Sequence, residues 1–147
     1  MQGRDCQESG RLAEAEALYR SIVVARPDHA PALHRLGQIA RAAGQRDYAV
    51  WLFDQALAAG APAVEIEAER GAVLSEDGKH QEAAAAFARA ADAAPGEPRY
   101  RIRQAEALTA AGQAESAAVL LRGLLAGDPD LAEARWALAL AERARVV

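Results

Sequence analysis

The segment "PRYRIRQAE", Pro98 to Glu106, sets three arginines at alternate positions, and guanidinium groups grip phosphate or acidic peptides. Charge runs are mostly solvated, however. Glu67, in the matching column one repeat earlier, and Glu106 along the same helix are the expected partners of Arg99, Arg101 and Arg103. His29 and His34 straddle a proline and share no helix face, and His80 is remote, so no metal-ligand spacing results. Cys6 is the only cysteine, which excludes an intramolecular disulfide and a cysteine-based metal cluster. It reads as a small apolar residue rather than a nucleophile. "EAEALYR" and "AEALTA" carry carboxylates on helix faces where nothing converges to build an acid–base pair. No glycine-rich phosphate loop, HExxH or GxSxG occurs. The expectation is a chain that is not an enzyme and takes no cofactor and no metal. The chemistry left is recognition.

The 147 residues amount to one domain, long enough to bury a core. Forty are alanine, none is asparagine, and 16 arginines face the single Lys79. Alanine, leucine, arginine, glutamate and glutamine favour helix, while β-branched and aromatic residues are scarce, so the class expected is all-α. A net charge of −4 argues against a general nucleic-acid binder. No leader pattern and no run of 18 apolar residues is found, which sets a cytoplasmic protein without membrane insertion as the expectation.

The elements that position these residues are written as a repeat. Gly10, Gly44, Gly78 and Gly112 are 34 residues apart, as are Ala15, Ala49, Ala83 and Ala117. Tyr19, Phe53, Phe87 and Leu121 form a bulky column at the same interval. Pro27, Pro95 and Pro129 lie on the lattice, and Pro62 falls one place late. Such a period marks stacked supersecondary units. The glycine is placed to end a first helix in the left-handed region. The alanine, four residues before the bulky side chain, shares its face and lets two helices approach closely. The proline closes the second helix. A lone helix pair cannot bury its apolar face, so the pairs stack into an α-solenoid. First-helix core residues expected are Ala32, Leu36, Ile39, Ala40 and Ala43, then Ile66, Val73 and Leu74, then Tyr100, Ala107, Leu108 and Ala111. Second-helix residues include Leu18, Tyr19 and Ile22, then Leu52, Phe53 and Ala56.

A 34-residue helix–turn–helix period with A-x3-F and a following proline resembles the tetratricopeptide repeat, TPR. The first-helix half of that motif is kept best as Leu33-x2-Leu36-Gly37-x2-Ala40. It weakens to Glu67-x2-Arg70-Gly71-x2-Leu74 and then Arg101-x2-Gln104-Ala105-x2-Leu108. The resemblance implies a right-handed α-solenoid of about four repeats plus a terminal helix. A single domain 1–147 then divides into an incomplete unit 1–29, units 30–63, 64–97 and 98–131, and a terminal helix 132–147. Asp130, with Glu133 three residues on, is placed as the N-cap of that last helix.

The resemblance also implies a concave groove lined by first helices, which takes an extended peptide or a partner's helix. Faces opposite the core stripes give His34, Gln38 and Arg41, then Ala68, Ala72 and Ser75, then Ile102, Glu106 and Thr109. Trp136, Leu140 and Arg143 follow on the last helix, and Arg4 and Gln7 come from the short first one. Ala68 and Ala72 leave room for a ligand backbone. Trp136 reads equally as an anchor and as a cover for the end of the stack. A chaperone-type carboxylate clamp is disfavoured, since asparagine is absent and Lys79 just follows a turn glycine. Trp51, in the column of Ala17, Ala85 and Val119, reads either as packing or as a convex-side contact, with packing favoured. The function expected is a non-catalytic scaffold for a protein or peptide partner. Two further readings stand beside it. One is the substrate-positioning part of a larger enzyme, such as a glycosyl- or sulfotransferase. The other is a homo-oligomer assembled through open repeat ends.

Overall fold

The computed structural model describes residues 2–146, with side chains described from Gly10 onward. Among them are eight α-helices and no strand. They are α1 (Gln2–Ala25), α2 (Ala30–Ala42), α3 (Arg46–Ala58), α4 (Ala63–Glu76), α5 (His80–Ala93), α6 (Pro98–Ala110), α7 (Ala114–Gly127) and α8 (Ala132–Val146). They gather into two compact units, Met1–Pro62 and Ala63–Val147.

In the first unit α2 and α3 form a tight hairpin, with α1 packed on α2. Leu33, Leu36 and Ala40 close against Ala49, Leu52, Phe53 and Ala56, all buried. Phe53 fits because Gly37 lies opposite: a Cβ added there would stand 2.5 Å from Phe53 Cε1. The second unit repeats the arrangement in α4–α5, where a Cβ on Gly71 would come within 2.9 Å of Phe87 Cε1. In α6–α7 the glycine is replaced by Ala105 and the ring by Leu121, both buried in one cluster with Ile102, Ala117 and Ala134. Where the bulky side chain is shorter, a methyl group takes the space. Close packing at native density requires such an exchange.

The turns follow from the glycine column. Gly44, Gly78 and Gly112 have φ of 77, 76 and 85°, the left-handed conformation that side chains with a Cβ resist. The next residue then donates its N–H back to the helix: Gln45 to Ala40 O (2.9 Å), Lys79 to Leu74 O (2.9 Å) and Gln113 to Leu108 O (2.8 Å). Gly60, with φ 92°, ends α3 in the same way, Ala61 donating to Ala56 O at 3.0 Å. That added turn accounts for the late position of Pro62. His29 caps α2, its Nδ1 accepting from the Ala32 N–H at 3.2 Å.

Four sequence expectations change. Gly10 makes no turn, because α1 runs through it unbroken. The residues ahead of it, "MQGRDCQES", hold Met1 and Cys6 as their apolar side chains, so folding back would bury little. Without that fold-back Leu18 is exposed rather than core, and Tyr19 and Ile22 are half-buried. Ala43 is exposed as well, since it is the C-cap of α2 at the turn. Finally, α8 starts at Ala132 rather than being capped by Asp130. The Asp130 N–H donates to Asp128 Oδ1 at 3.2 Å, a side-chain turn that carries the chain around Pro129 and delays the helix.

Candidate functional site

In the first unit His34, Gln38 and Arg41 lie half-buried along α2. The His34 ring meets Phe53 edge-on, centroids 6.1 Å apart at 64°, so the hairpin core holds its orientation. Gln38 Nε2 donates to His34 Nε2 at 3.2 Å in the tautomer that leaves that ring nitrogen bare. Arg35 Nη1 donates to Gln38 Oε1 at 3.0 Å. Gln38 is thus fixed from both ends, and the row presents oriented polar groups. Arg41 stands in the last turn of α2, where the helix dipole favours a cation. Arg4, Cys6 and Gln7 lie outside the residues whose side chains are described.

In the second unit Ala68, Ala72 and Ser75 are half-buried on α4 and form a floor of small side chains. On α6 Glu106 is exposed and accepts from Arg103 at 3.1 Å. Thr109 Oγ1 donates to Ala105 O at 3.0 Å, so its hydroxyl is engaged by its own helix. Ile102 is a correction. It is 3% exposed and belongs to the core cluster that also holds Ala134, Ala137 and Ala141 of α8. The packing of α8 beside α6 takes it out of reach of a ligand. Trp136 and Leu140 are 70% and 44% exposed, which leaves both open on α8.

The arginine run is committed to ion pairs. Arg99 pairs with Glu97 at 2.7 Å and lies 4.8 Å from the Tyr100 ring centroid. The Glu97 hydrogen bond and charge hold its guanidinium above the usual arginine range. Arg101 reaches Asp92 at 2.5 Å and Arg103 reaches Glu106. Glu67 is not their partner; its buried carboxylate stands 3.9 Å from both Arg70 and Arg89. Trp51 departs from the favoured packing alternative. It is 53% exposed and stacks on Tyr48, centroids 6.1 Å apart at 16°. The signal for that pair was their spacing of three residues on one helix. Among the described residues no group of three His, Cys, Asp or Glu is placed to hold a metal, and no helix is long and apolar enough to cross a membrane.

Helical hairpins with a Gly-to-ring contact, left-handed glycine turns and open first-helix faces define a helical-repeat protein. Residues 74–142 match the family model described as Tetratricopeptide repeat. The chain is 31% identical over 137 residues to Cellulose synthase operon protein C of Pseudomonas fluorescens (strain SBW25), a match covering 88% of this chain and 11% of that protein. Among solved structures, YrrB, described as a TPR protein with an unusual peptide-binding site, superposes with a TM-score of 0.79 at 19% identity. The match covers 95% of this chain and 72% of YrrB. A tetratricopeptide repeat protein from Parabacteroides merdae ATCC 43184 gives 0.80 at 19% identity, covering 98% and 57%. MamA gives 0.79 at 17% identity, covering 97% and 84%. Residues 74–142 match the tetratricopeptide-repeat family, and the all-α solenoid fold of the chain is that of the tetratricopeptide-repeat structures it superposes on. In general terms this fold is a scaffold for protein–protein interaction.

Proposed function

We propose that the chain is a non-catalytic scaffold whose first-helix faces bind an extended segment of a partner protein. The carrying observation is that Gln38 is set between Arg35 and His34 while Ala68, Ala72 and Ser75 stay only half-buried behind closed hairpin cores. Preset polar groups and a low floor suit a peptide backbone, because little ordering remains to be done on binding. Trp136 and Leu140 supply an apolar anchor, and aromatic residues are enriched where interfaces gain most of their energy. The peptide-binding site ascribed to YrrB supports the same reading. In this proposal the protein is bacterial and cytoplasmic, and takes neither a cofactor nor nucleic acid. The test is a pull-down from the host's lysate with the native chain and an Arg41→Glu, Glu106→Arg variant of unchanged circular dichroism. A partner held by the first and released by the second is expected. Retention of the same partners by both would overturn the reading.

A second reading rests on the relative of which this chain spans 11%. In it the repeats serve a larger assembly for cellulose production. Deleting the reading frame in its host would then lower cellulose output, and unchanged output would discard the idea.

A further inference from the structure

Along α8 the exposed residues Glu133, Trp136, Leu140 and Arg143 succeed one another at intervals of three, four and three. That spacing keeps side chains in one stripe on a helix. Ala134, Ala137 and Ala141 occupy the other side, buried in the core cluster. Glu142 and Arg145 are engaged by Arg122 and Glu115 of α7, each at 2.8 Å. Glu133 and Arg143 have no ion pair among the described residues. The stripe is also symmetric in chemistry. The pairs 133 and 143, and 136 and 140, are both centred on Leu138, with opposite charges outside and large apolar groups inside.

We propose that this stripe is a self-association site, at which α8 pairs antiparallel with α8 of a second copy about a two-fold axis near Leu138. Glu133 then meets Arg143 of the second copy, and Trp136 meets its Leu140. Two-fold symmetry makes each contact twice, so two ion pairs bracket two apolar contacts. A parallel pairing would set Glu133 on Glu133 and Arg143 on Arg143, so charge selects the antiparallel arrangement. Four residues a side bury on the order of several hundred Å² in all, less than the roughly 1,200 Å² of a stable complex. The dimer is therefore weak and set by concentration. It shares Trp136 and Leu140 with the proposed peptide surface, so pairing and partner binding compete at that end.

Sedimentation equilibrium of the full chain, from about 10 μM to 1 mM, tests the proposal. A monomer–dimer equilibrium is expected. Glu133→Arg and Arg143→Glu should each weaken it by about tenfold or more, and the double reversal should restore it. Circular dichroism confirms that each variant is folded. A chain that stays monomeric over the whole range overturns the proposal. So does a dimer that ignores the single reversals, or one that the double reversal fails to recover. Arg41 and Glu106 are untouched in these variants, so failure here is separable from failure of the peptide-binding reading.

Discussion

At the scale of single residues, the contact between Gly37 and Phe53 sets how closely two helices approach. Gly37→Ala drives a methyl group into the ring edge at 2.5 Å, and overpacking of this kind costs about 1–3 kcal/mol. A urea titration of the variant should show that loss as a lower midpoint with an unchanged slope. Leu121→Phe should destabilise for the mirror reason, the new ring meeting the Ala105 methyl inside the same buried cluster. Joining it to Ala105→Gly should recover part of the loss, and a double-mutant cycle measures the coupling. The sequence shows Gly37 and Phe53 as motif letters. It shows Ala105 and Leu121 only as decay of that motif. That one change compensates the other became visible through the contact they share.

At the scale of elements, one column of the repeat holds glycines with opposite roles. Gly78 has φ 76° at a turn, so Gly78→Ala should cost about 1–2 kcal/mol, the penalty of a Cβ in the left-handed region. Gly10 lies within α1 with nothing near its Cα to obstruct a methyl, so Gly10→Ala should instead stabilise by about 0.5–1 kcal/mol. Thermal melts of the two variants should move in opposite directions. Hydrogen exchange adds a second check. The described residues of α1 include none that is buried, whereas α5 has six, so amides of α1 should exchange well before those of α5. A turn forms where folding back buries apolar surface, and that is a property of the partner helix rather than of the glycine. For this reason the helices from α2 onward were legible in the 34-residue period, and the course of the first was not.

At the scale of the whole molecule, helical repeats draw stability from nearest neighbours. Deleting residues 1–25 removes a helix whose described part is exposed or half-buried, and should lower the melting temperature little. Deleting 130–147 uncovers Ile102 and Ala105 and should lower it markedly more. Equal losses in calorimetry would contradict this ordering. The candidate surface was partly legible too. Gln38, Ala72 and Trp136, which the helical period sets opposite the core stripes, all keep some access. Ile102 was lost to the core because burial depends on how α8 packs beside α6, and no spacing within α6 records that. For Trp51 the favoured packing failed the other way, as its column neighbours said nothing of the stack it makes with Tyr48.

The pairing of a small residue with a matched bulky one lies within each hairpin, on opposite sides of its turn glycine. Recombination between gene copies of these units is therefore constrained by location. A crossover in the loops that join hairpins transfers a matched pair intact and leaves packing undisturbed. One at the turn glycine would unite glycine with leucine, leaving a void, or alanine with phenylalanine, forcing a clash. The heritable module is the complete hairpin, and duplications that lengthen or shorten such a chain should carry their breakpoints near the prolines.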